Sequence, residues 1–315
     1  MNLIMLLLLL SGVGCSSIQK WTLRSASPVF QRSTTALTKE NNWEFFKESL
    51  PANLKFIELL WQQDPENLAL LSILVKGYAG YAFAVPETIN FGDELSGLED
   101  SSAKKEAIVF YTRSLDYGLL YLSKKGIQSS DLLALDAGKL LKKLSRKLKK
   151  EDLVPLMYTA QSWGSLINLQ KDNVALVSQV PRVKLLFDHV CGKAPAIEQN
   201  SCEIFNAQYE AARPKMLGGN PEKAQELYRK AITDHPQHLI IRLGYIQYLL
   251  LPSMDGEKYE KEAAVLREEF AKWSDINRDG LENKSEYKGS SDLNLYNAIA
   301  KKRFEMIEKN KNKIF

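Results

Sequence analysis

The sequence contains few of the residues that carry most enzyme chemistry. Its 315 residues include three histidines, three cysteines, 17 glycines and 11 prolines, which leaves little for His-based metal or acid/base sites and few turns of the kind that separate strands. The net charge of +4 is small for this length and argues against nucleic-acid binding. The nucleotide, zinc-protease and hydrolase motifs G-x-x-x-x-G-K-[ST], H-E-x-x-H and G-x-S-x-G are missing from the sequence. These absences favour a helical protein that binds rather than catalyses.

The first 14 residues have the pattern of a signal peptide. The apolar run from Leu3 to Leu10 is shorter than the roughly 20 residues of a bilayer-spanning helix. Small residues then lead to Cys15, as in the lipobox of a bacterial lipoprotein. Cleavage before Cys15 would allow acylation of its thiol and its new amine, and two or three acyl chains make a lasting anchor. The alternative is an ordinary secretory signal followed by an incidental cysteine.

The mature protein is therefore predicted to face the periplasm from a lipid anchor. Residues 15–42, rich in Ser and Thr, are interpreted as the lipidated cysteine and a flexible tether, and Ser16 after the lipid site favours the outer membrane. In that oxidising compartment Cys191 and Cys202, separated by a turn-rich connector, are predicted to form a disulfide. Two buried free thiols are the alternative.

Residues 43–315 are predicted to form a single helical domain. Leu54, Ile57, Leu60 and Trp61 show the helical spacing that recurs almost throughout, with no convincing period-two strand. The pattern lapses between residues 86 and 102, which is predicted to be a loop. About a dozen helices in short-looped succession indicate an all-α fold, either an α-solenoid or an array of helical hairpins.

One segment fits the second helix of a tetratricopeptide repeat closely. Ala224, Tyr228, Ala231 and Pro236 fall at the small, aromatic, small and proline positions of that helix. Two weaker echoes, around residues 60–65 and 107–114, suggest degenerate repeats. Such a scaffold offers a concave or enclosed surface to a partner.

A second segment matches a calcium-binding loop. Its ligands would be the side chains of Asp275, Asn277, Asp279 and Glu286 with the carbonyl of Leu281, at the spacing D-x-[DN]-x-[DN]-G-x5-E. The alternative is an Asx-rich connector that caps helix ends.

A third segment, residues 139–150, surrounds a leucine stripe with basic residues, and we expect a core stripe with a solvated face rather than a membrane-binding surface.

A family resemblance rests on six segments and above all on their order: Leu50–Leu71, Lys76–Phe83, Ala107–Leu119, Tyr158–Gly164, Leu217–Ala224 and Leu295–Ala300. Together they resemble the TatT family of lipoproteins associated with tripartite ATP-independent periplasmic (TRAP) transporters. The likeness covers roughly residues 43–309. The calcium-like loop is not part of the family pattern.

The resemblance implies a helical fold on cryptic tetratricopeptide repeats, pairing with the solute-binding protein of a TRAP transporter, and a homo-trimer with apolar pores. Tyr78, Tyr81, Phe83 and Trp163 could line an aromatic cavity for a hydrophobic ligand. The alternative is that these aromatic side chains belong to the core.

The sequence thus supports two functions. The first is a tethered transport accessory that docks a solute-binding protein and moves or stores a hydrophobic small molecule. The second is a general envelope scaffold that binds another protein without a transport role. An enzyme would need a cluster of perturbed acids, bases or nucleophiles, and nothing in the sequence nominates one.

Overall fold

The computed structural model describes residues 18–32, 34–277 and 291–315, and within these ranges the protein is helical with no strand. In the described ranges, short 3₁₀ turns lie at Thr34–Lys39, Lys150–Asp152, Lys215–Leu217 and Ser291–Leu293. Helix α13 contains one π-helical turn, Ile246–Leu250. The helices are α1 (18–32), α2 (Trp43–Gln63), α3 (Leu68–Ala84), α4 (Pro86–Ser96), α5 (Ser102–Lys124), α6 (Ser129–Ala134), α7 (Ala137–Lys147), α8 (Leu153–Leu169), α9 (Val174–Val177), α10 (Val180–Cys191), α11 (Ile197–Ala212), α12 (Pro221–Asp234), α13 (Leu239–Ser253), α14 (Gly256–Asn277) and α15 (Asn294–Ile314).

Local capping residues fix several helix starts. The Asn67 side chain accepts a hydrogen bond from the Leu70 amide at 3.2 Å and opens α3. Asn220 does the same for Lys223 at 2.9 Å, and Pro221 occupies the first turn of α12. A side chain that satisfies one of the free N–H groups of the first turn stabilises a helix by about 1 kcal/mol. The connectors between these helices are therefore short and well defined.

Helix α3 forms the centre of the fold. It packs against α2, α5 and α8, and Leu70, Leu71, Leu74 and Val75 are completely buried. Helices α3 and α4 together form the stretch Leu68–Ser96, which is long and apolar enough by composition to cross a membrane. However, 67% of its most apolar window is buried inside the protein. A helix that is apolar on all sides and covered by its neighbours is typical of a core helix.

Two glycines allow these central helices to approach closely. A Cβ atom at Gly77 of α3 would lie 2.3 Å from Leu54 Cδ2 of α2, and one at Gly118 of α5 would lie 2.1 Å from Thr159 Oγ1 of α8. Either distance is far below van der Waals contact. At Gly77 the end of the Leu54 side chain could move aside, whereas at Gly118 the whole Thr159 side chain is in the way, so the close packing depends most on Gly118.

The prediction of a loop across residues 86–102 is wrong for most of that segment. Pro86 occupies the first turn of α4, and Gly97 ends the helix in the left-handed conformation at φ 87°. The buried face of α4 is partly polar, with Thr88 and Asn90 almost fully covered. These polar side chains interrupt the apolar periodicity, and a helix cannot be predicted from the spacing of apolar residues in this segment.

Residues 18–32, which were predicted to belong to a flexible tether, form helix α1 instead. This helix packs on the connector between α2 and α3. The Arg24 guanidinium donates to both carboxylate oxygens of Asp64 at 2.6 and 2.7 Å. The Asn67 amide donates to Ser27 Oγ at 2.8 Å, and Ser27 is buried. Tertiary contacts rather than local apolar spacing therefore order this segment.

The buried stripes expected from the sequence lie in the core. Leu140, Leu144 and Leu148 of the basic segment are at most 4% exposed, as the core interpretation predicts. Ala224, Tyr228 and Ala231 of α12 are buried as well, and α12 packs against α11 and α13. The small and aromatic positions of this segment therefore serve helix packing.

The C-terminal helix returns to the start of the array. Helix α15 packs against α2, α4 and α13, and Asn294 Nδ2 donates to the Lys39 carbonyl at 3.0 Å. At the surface Lys302 Nζ lies 2.8 Å from Glu44 Oε1. The helical array is thus closed on itself rather than extended.

A buried arginine is the centre of this closure. Arg303 of α15 is 2% exposed, and its guanidinium donates to Thr88 Oγ1 and to the Phe83 carbonyl, each at 2.9 Å. It also donates to Glu87 at 3.3 Å and to Gln247 in the π-helical turn at 3.4 Å. A buried charge is tolerated when it is paired and its donors are satisfied. One side chain therefore connects α15 to α3, α4 and α13.

We predict that Arg303→Met lowers the free energy of unfolding by about 3 to 5 kcal/mol, because it leaves the Glu87 carboxylate buried without its cation. Lys302→Met is the matched control, since the neighbouring pair with Glu44 is exposed and should be worth at most about 1 kcal/mol. Urea denaturation measures both variants. Equal effects of the two substitutions would contradict a structural role specific to Arg303.

His238 immediately precedes α13, is 2% exposed and packs edge-on against Tyr296 at 5.2 Å between ring centroids. Burial, assisted by the nearby His235, lowers the pKa of His238 from 6.5 to about 3. The folded protein therefore keeps this imidazole neutral at pH values where the unfolded chain binds a proton.

This difference predicts a loss of stability in acid. Below pH 6.5 the unfolded chain gains a proton that the folded chain takes up only near pH 3, so His238 contributes a loss of about 2 kcal/mol at pH 5 relative to pH 7.5. In His238→Gln this part of the loss should vanish, as measured by urea denaturation at both pH values. An unchanged pH dependence in the variant would show that His238 is not the titrating group.

Candidate functional site

A cavity of about 500 Å³ lies between the helices of this closed array, which we call the ring of helices, and its lining includes the exposed side chains Phe30 and Phe56. It receives side chains from α1, α2, α3, α4, α8, α10, α11, α13 and α15, and most of them are apolar. Its apolar lining consists of Phe30, Leu37, Phe46, Leu50, Leu54, Phe56, Ile57, Ile73, Phe83, Phe187, Ile204, Phe205, Ile240, Leu295 and Ile299. We name it cavity 1. Its volume and lining fit a small apolar molecule.

A second cavity, cavity 2, has a volume of about 750 Å³ and lies between α8, α10 and α11. It also receives side chains from α9 and from the connectors on either side of it. Its apolar lining consists of Ile167, Val174, Val177, Val180, Pro181, Val183, Phe187, Phe205, Ala212, Pro214 and Leu217. Lys171 and Arg213 are its cationic lining residues.

The two cavities meet at a common set of side chains, which we name the shared wall. It consists of Glu87, Gln161, Ser165, Phe187, Phe205 and Gln208. The Phe187 and Phe205 rings are stacked, with centroids 3.6 Å apart and planes inclined by 5°. The other four residues are polar. Two apolar spaces therefore meet at a wall of two stacked aromatic rings and four polar side chains.

The four aromatic residues proposed from the sequence do not act as one group. Phe83 lines cavity 1, whereas Tyr78, Tyr81 and Trp163 are at most 5% exposed and lie in the core. The Tyr78 hydroxyl donates to Glu58 Oε1 at 2.7 Å, and burial together with this carboxylate raises the pKa of Tyr78 to about 12. For three of the four, the structure thus shows the core arrangement.

Polar side chains at another part of cavity 1 form an ion pair. Lys76 Nζ lies 2.8 Å from Glu198 Oε2, and both side chains are largely covered. The Tyr158 hydroxyl donates to the same oxygen at 2.8 Å, and burial, with Tyr296 and Glu198 nearby, keeps the pKa of Tyr158 well above 10. Lys76 and Tyr158 both line the cavity. The cation in this wall is therefore neutralised by its neighbour.

Glu198 reaches this position from an unusual backbone turn. Glu198, Gln199 and Asn200 have φ values of 45°, 51° and 63°, in the left-handed region that costs a residue with a side chain about 1 to 2 kcal/mol. Such conformations persist where the surroundings fix them. Here the turn lies between Cys191 and Cys202, whose sulfur atoms are 2.12 Å apart and whose Cα atoms are 5.7 Å apart. The cross-link and the Lys76 pair hold the turn from both sides.

Sequence reasoning missed most of the site. Gln161, Gln208 and Glu87 are isolated polar positions on helices, and no local spacing distinguishes them from surface residues. Phe187 and Phe205 resemble ordinary core positions in sequence. A weak signal did exist, because Gln161 lies within the Tyr158–Gly164 segment that carries the family resemblance.

Two predicted sites lie wholly or partly outside the described residues. Cys15 and the loop residues Asp279, Leu281 and Glu286 lie beyond the described residues, and the side chains of Asp275 and Asn277 are not described either; helix α14 ends at Asn277. Within residues 18–32, 34–277 and 291–315, no group of three or more His, Cys, Asp or Glu side chains is arranged to hold a metal ion. Lipidation and calcium binding therefore stay predictions.

Comparison with known proteins identifies related chains. The model of the TRAP transporter T-component family matches residues 39–315. An uncharacterized protein of Treponema pallidum (strain Nichols) is 25% identical over 226 residues, a stretch that covers 70% of this chain and 68% of the relative. The family match includes helices α2 to α15 and leaves out α1.

The paired cysteines generate a stability prediction. A disulfide closing so short a loop stabilises the fold by about 3 kcal/mol, so Cys191→Ala/Cys202→Ala should lower the free energy of unfolding by about that amount. Reductant should lower the stability of the native protein similarly and leave the double variant unchanged. If urea denaturation of the native protein is insensitive to reductant, the two cysteines are free thiols.

Proposed function

The chain belongs to the TRAP transporter T-component family, and from that membership we propose that it pairs with the periplasmic solute-binding protein of such a transporter and holds a hydrophobic small molecule. The family is an accessory component of TRAP transport, and this places the protein at the bacterial cell envelope. The pairing with a solute-binding protein and the binding of a hydrophobic ligand are proposals.

The observation that supports ligand binding is the large apolar space of cavities 1 and 2, whose lining includes the exposed side chains Phe56 and Val174. Cavities 1 and 2 adjoin and have volumes of about 500 and 750 Å³, each within the range of about 300 to 1,000 Å³ of pockets that bind small molecules. Keeping such a space open forgoes the dispersion contacts that close packing would supply. A bound apolar molecule would restore those contacts, which supports a binding role.

The same space suits transfer better than catalysis. A catalytic cleft needs acids, bases or nucleophiles free to react, whereas the lining ion pair of Lys76 with Glu198 is internally neutralised, and Glu87 is paired with Arg303. We infer a role in holding or passing the ligand unchanged. Two adjoining cavities would give the molecule a path from one side of the protein to the other.

The envelope details extend the proposal. Acylation of Cys15 would tether the protein to a membrane, with the outer membrane favoured by Ser16, and α1 would then follow the anchor after two residues. Pairing of copies into a trimer would be the family arrangement. Calcium bound at residues 275–286 would be a local addition to this chain.

The rival function is a general envelope scaffold that binds another protein and has no transport role. Affinity capture separates the two. We predict that the tagged full chain, expressed in its native bacterium and extracted with detergent, co-purifies with the solute-binding protein of a TRAP transporter. Cys15→Ala is the matched control, because capture from the soluble fraction excludes simple co-sedimentation in membrane fragments.

Capture of the solute-binding protein by both forms would support the proposal. Repeated capture of other envelope proteins, with the transport components absent in both forms, would favour the scaffold.

A further inference from the structure

The shared wall contains two amide groups that have no partner among the described residues. Gln161 of α8 and Gln208 of α11 both line cavities 1 and 2, and neither side chain forms a hydrogen bond or ion pair with another residue in the described parts of the chain. Each amide offers two donors and an acceptor. Both residues are only partly buried, so their amides reach the space of the cavities with donors and acceptors unused and are available to a polar atom of a ligand.

Glu87 adds a fixed acceptor beside them. Its carboxylate accepts from Arg303 Nη2 at 3.3 Å and from the Tyr111 hydroxyl, and burial, with Glu87 nearby, keeps the pKa of Tyr111 well above 10. These bonds use only part of the acceptor capacity of a carboxylate, which has about four lone-pair sites. The shared wall can therefore accept a hydrogen bond from a ligand without moving Glu87.

The charges at this wall select against an ionised ligand. Glu87 and Arg303 cancel, and the guanidinium lies behind the carboxylate, bonded to Thr88 and Phe83 of the protein itself. Because the charges of this pair cancel, a charged head group of either sign would give up its hydration at the wall without meeting a net opposite charge. Lys76, the cation of cavity 1, is occupied by Glu198.

We propose that the shared wall binds the uncharged head group of an amphipathic molecule, a hydroxyl or a carboxamide, while its apolar body lies in cavity 1 or cavity 2. The amides of Gln161 and Gln208 donate hydrogen bonds to the head group and accept hydrogen bonds from it. The Glu87 carboxylate accepts a hydrogen bond from the O–H or N–H of the head group. The stacked Phe187 and Phe205 rings cover the adjoining part of the body. This inference rests on the proposed ligand-holding function and names the chemical class of the ligand.

The test uses the full protein and a neutral fluorescent probe, N-phenyl-1-naphthylamine, whose emission rises in apolar surroundings. Uptake of the probe reports the apolar cavities, and its displacement by 1-decanol, decanamide, decanoate or decylammonium reports head-group preference. The variants are Gln161→Leu, Gln208→Leu and their combination, which keep side-chain volume and remove the amide. Gln62→Leu, at an exposed position of α2, is the matched control.

We expect the native protein to bind decanol and decanamide more tightly than decanoate and decylammonium. Each cavity variant should weaken decanol and decanamide about fivefold, the change expected for one neutral hydrogen bond, while probe uptake and the affinities of the charged compounds change less than about twofold. Gln62→Leu should behave as the native protein. Circular dichroism and thermal unfolding establish that the variants are folded.

Two results would overturn the inference while leaving ligand binding intact. One is tightest binding of decanoate, lost in Lys171→Met at cavity 2 but retained in the glutamine variants. The other is unchanged decanol affinity in the double variant. Absence of probe uptake by the native protein is different, because it would overturn the proposed ligand-holding function and this inference with it.

Discussion

A single buried cation connects the last helix of this protein to the centre of the fold. Arg303 is 2% exposed, and its guanidinium meets groups from α3, α4 and α13 while stacking over the Phe83 ring at 4.6 Å. Stacked helical hairpins without such a link extend as solenoids, because each hairpin contacts only its neighbours. The π-helical turn of α13 contributes to the closure, since it contains both Gln247, which accepts from Arg303, and Tyr248, which lines cavity 1.

Closure explains how an apolar space can exist inside a well-packed protein. Gly118 lets α5 and α8 pack closely, whereas Gly77 of α3 and Leu54 of α2 lie at the wall of cavity 1. Across the ring, α15, α11 and α13 face α2 and α3 at a distance that their side chains do not fill. Some polar groups in this space are paired, among them Lys76 with Glu198, and others sit at the shared wall. Structure and proposed function thus depend on the same geometry.

Much of the helical fold could be predicted from the sequence, and the reasons are local. Helix α12 begins and ends as the sequence predicts, because Asn220, Pro221 and the His235-Pro236 pair mark its ends and three buried residues mark its face. Helix α4 could not be predicted in the same way, since its buried face uses Thr88 and Asn90. Helix α1 is ordered by distant partners such as Asp64, which no local pattern reveals.

The site was harder to predict than the fold. The family resemblance is confirmed by the match over residues 39–315, but of the aromatic residues selected from the sequence only Phe83 faces a cavity. Helical spacing shows that a residue is inward-facing and does not show whether the inside is filled. Gln161 and Gln208 lie 47 positions apart, and only the ring closure brings their helices to one wall.

The central claim is that the closed ring holds an apolar molecule inside the protein. Crystals soaked with 1-bromodecane test it most directly, because anomalous scattering locates the bromine without any assumption about the ligand. The account predicts a bromine peak within cavity 1 or cavity 2, with the alkyl chain between the lining helices. Peaks confined to the outer surface, with both cavities filled by ordered water, would contradict it.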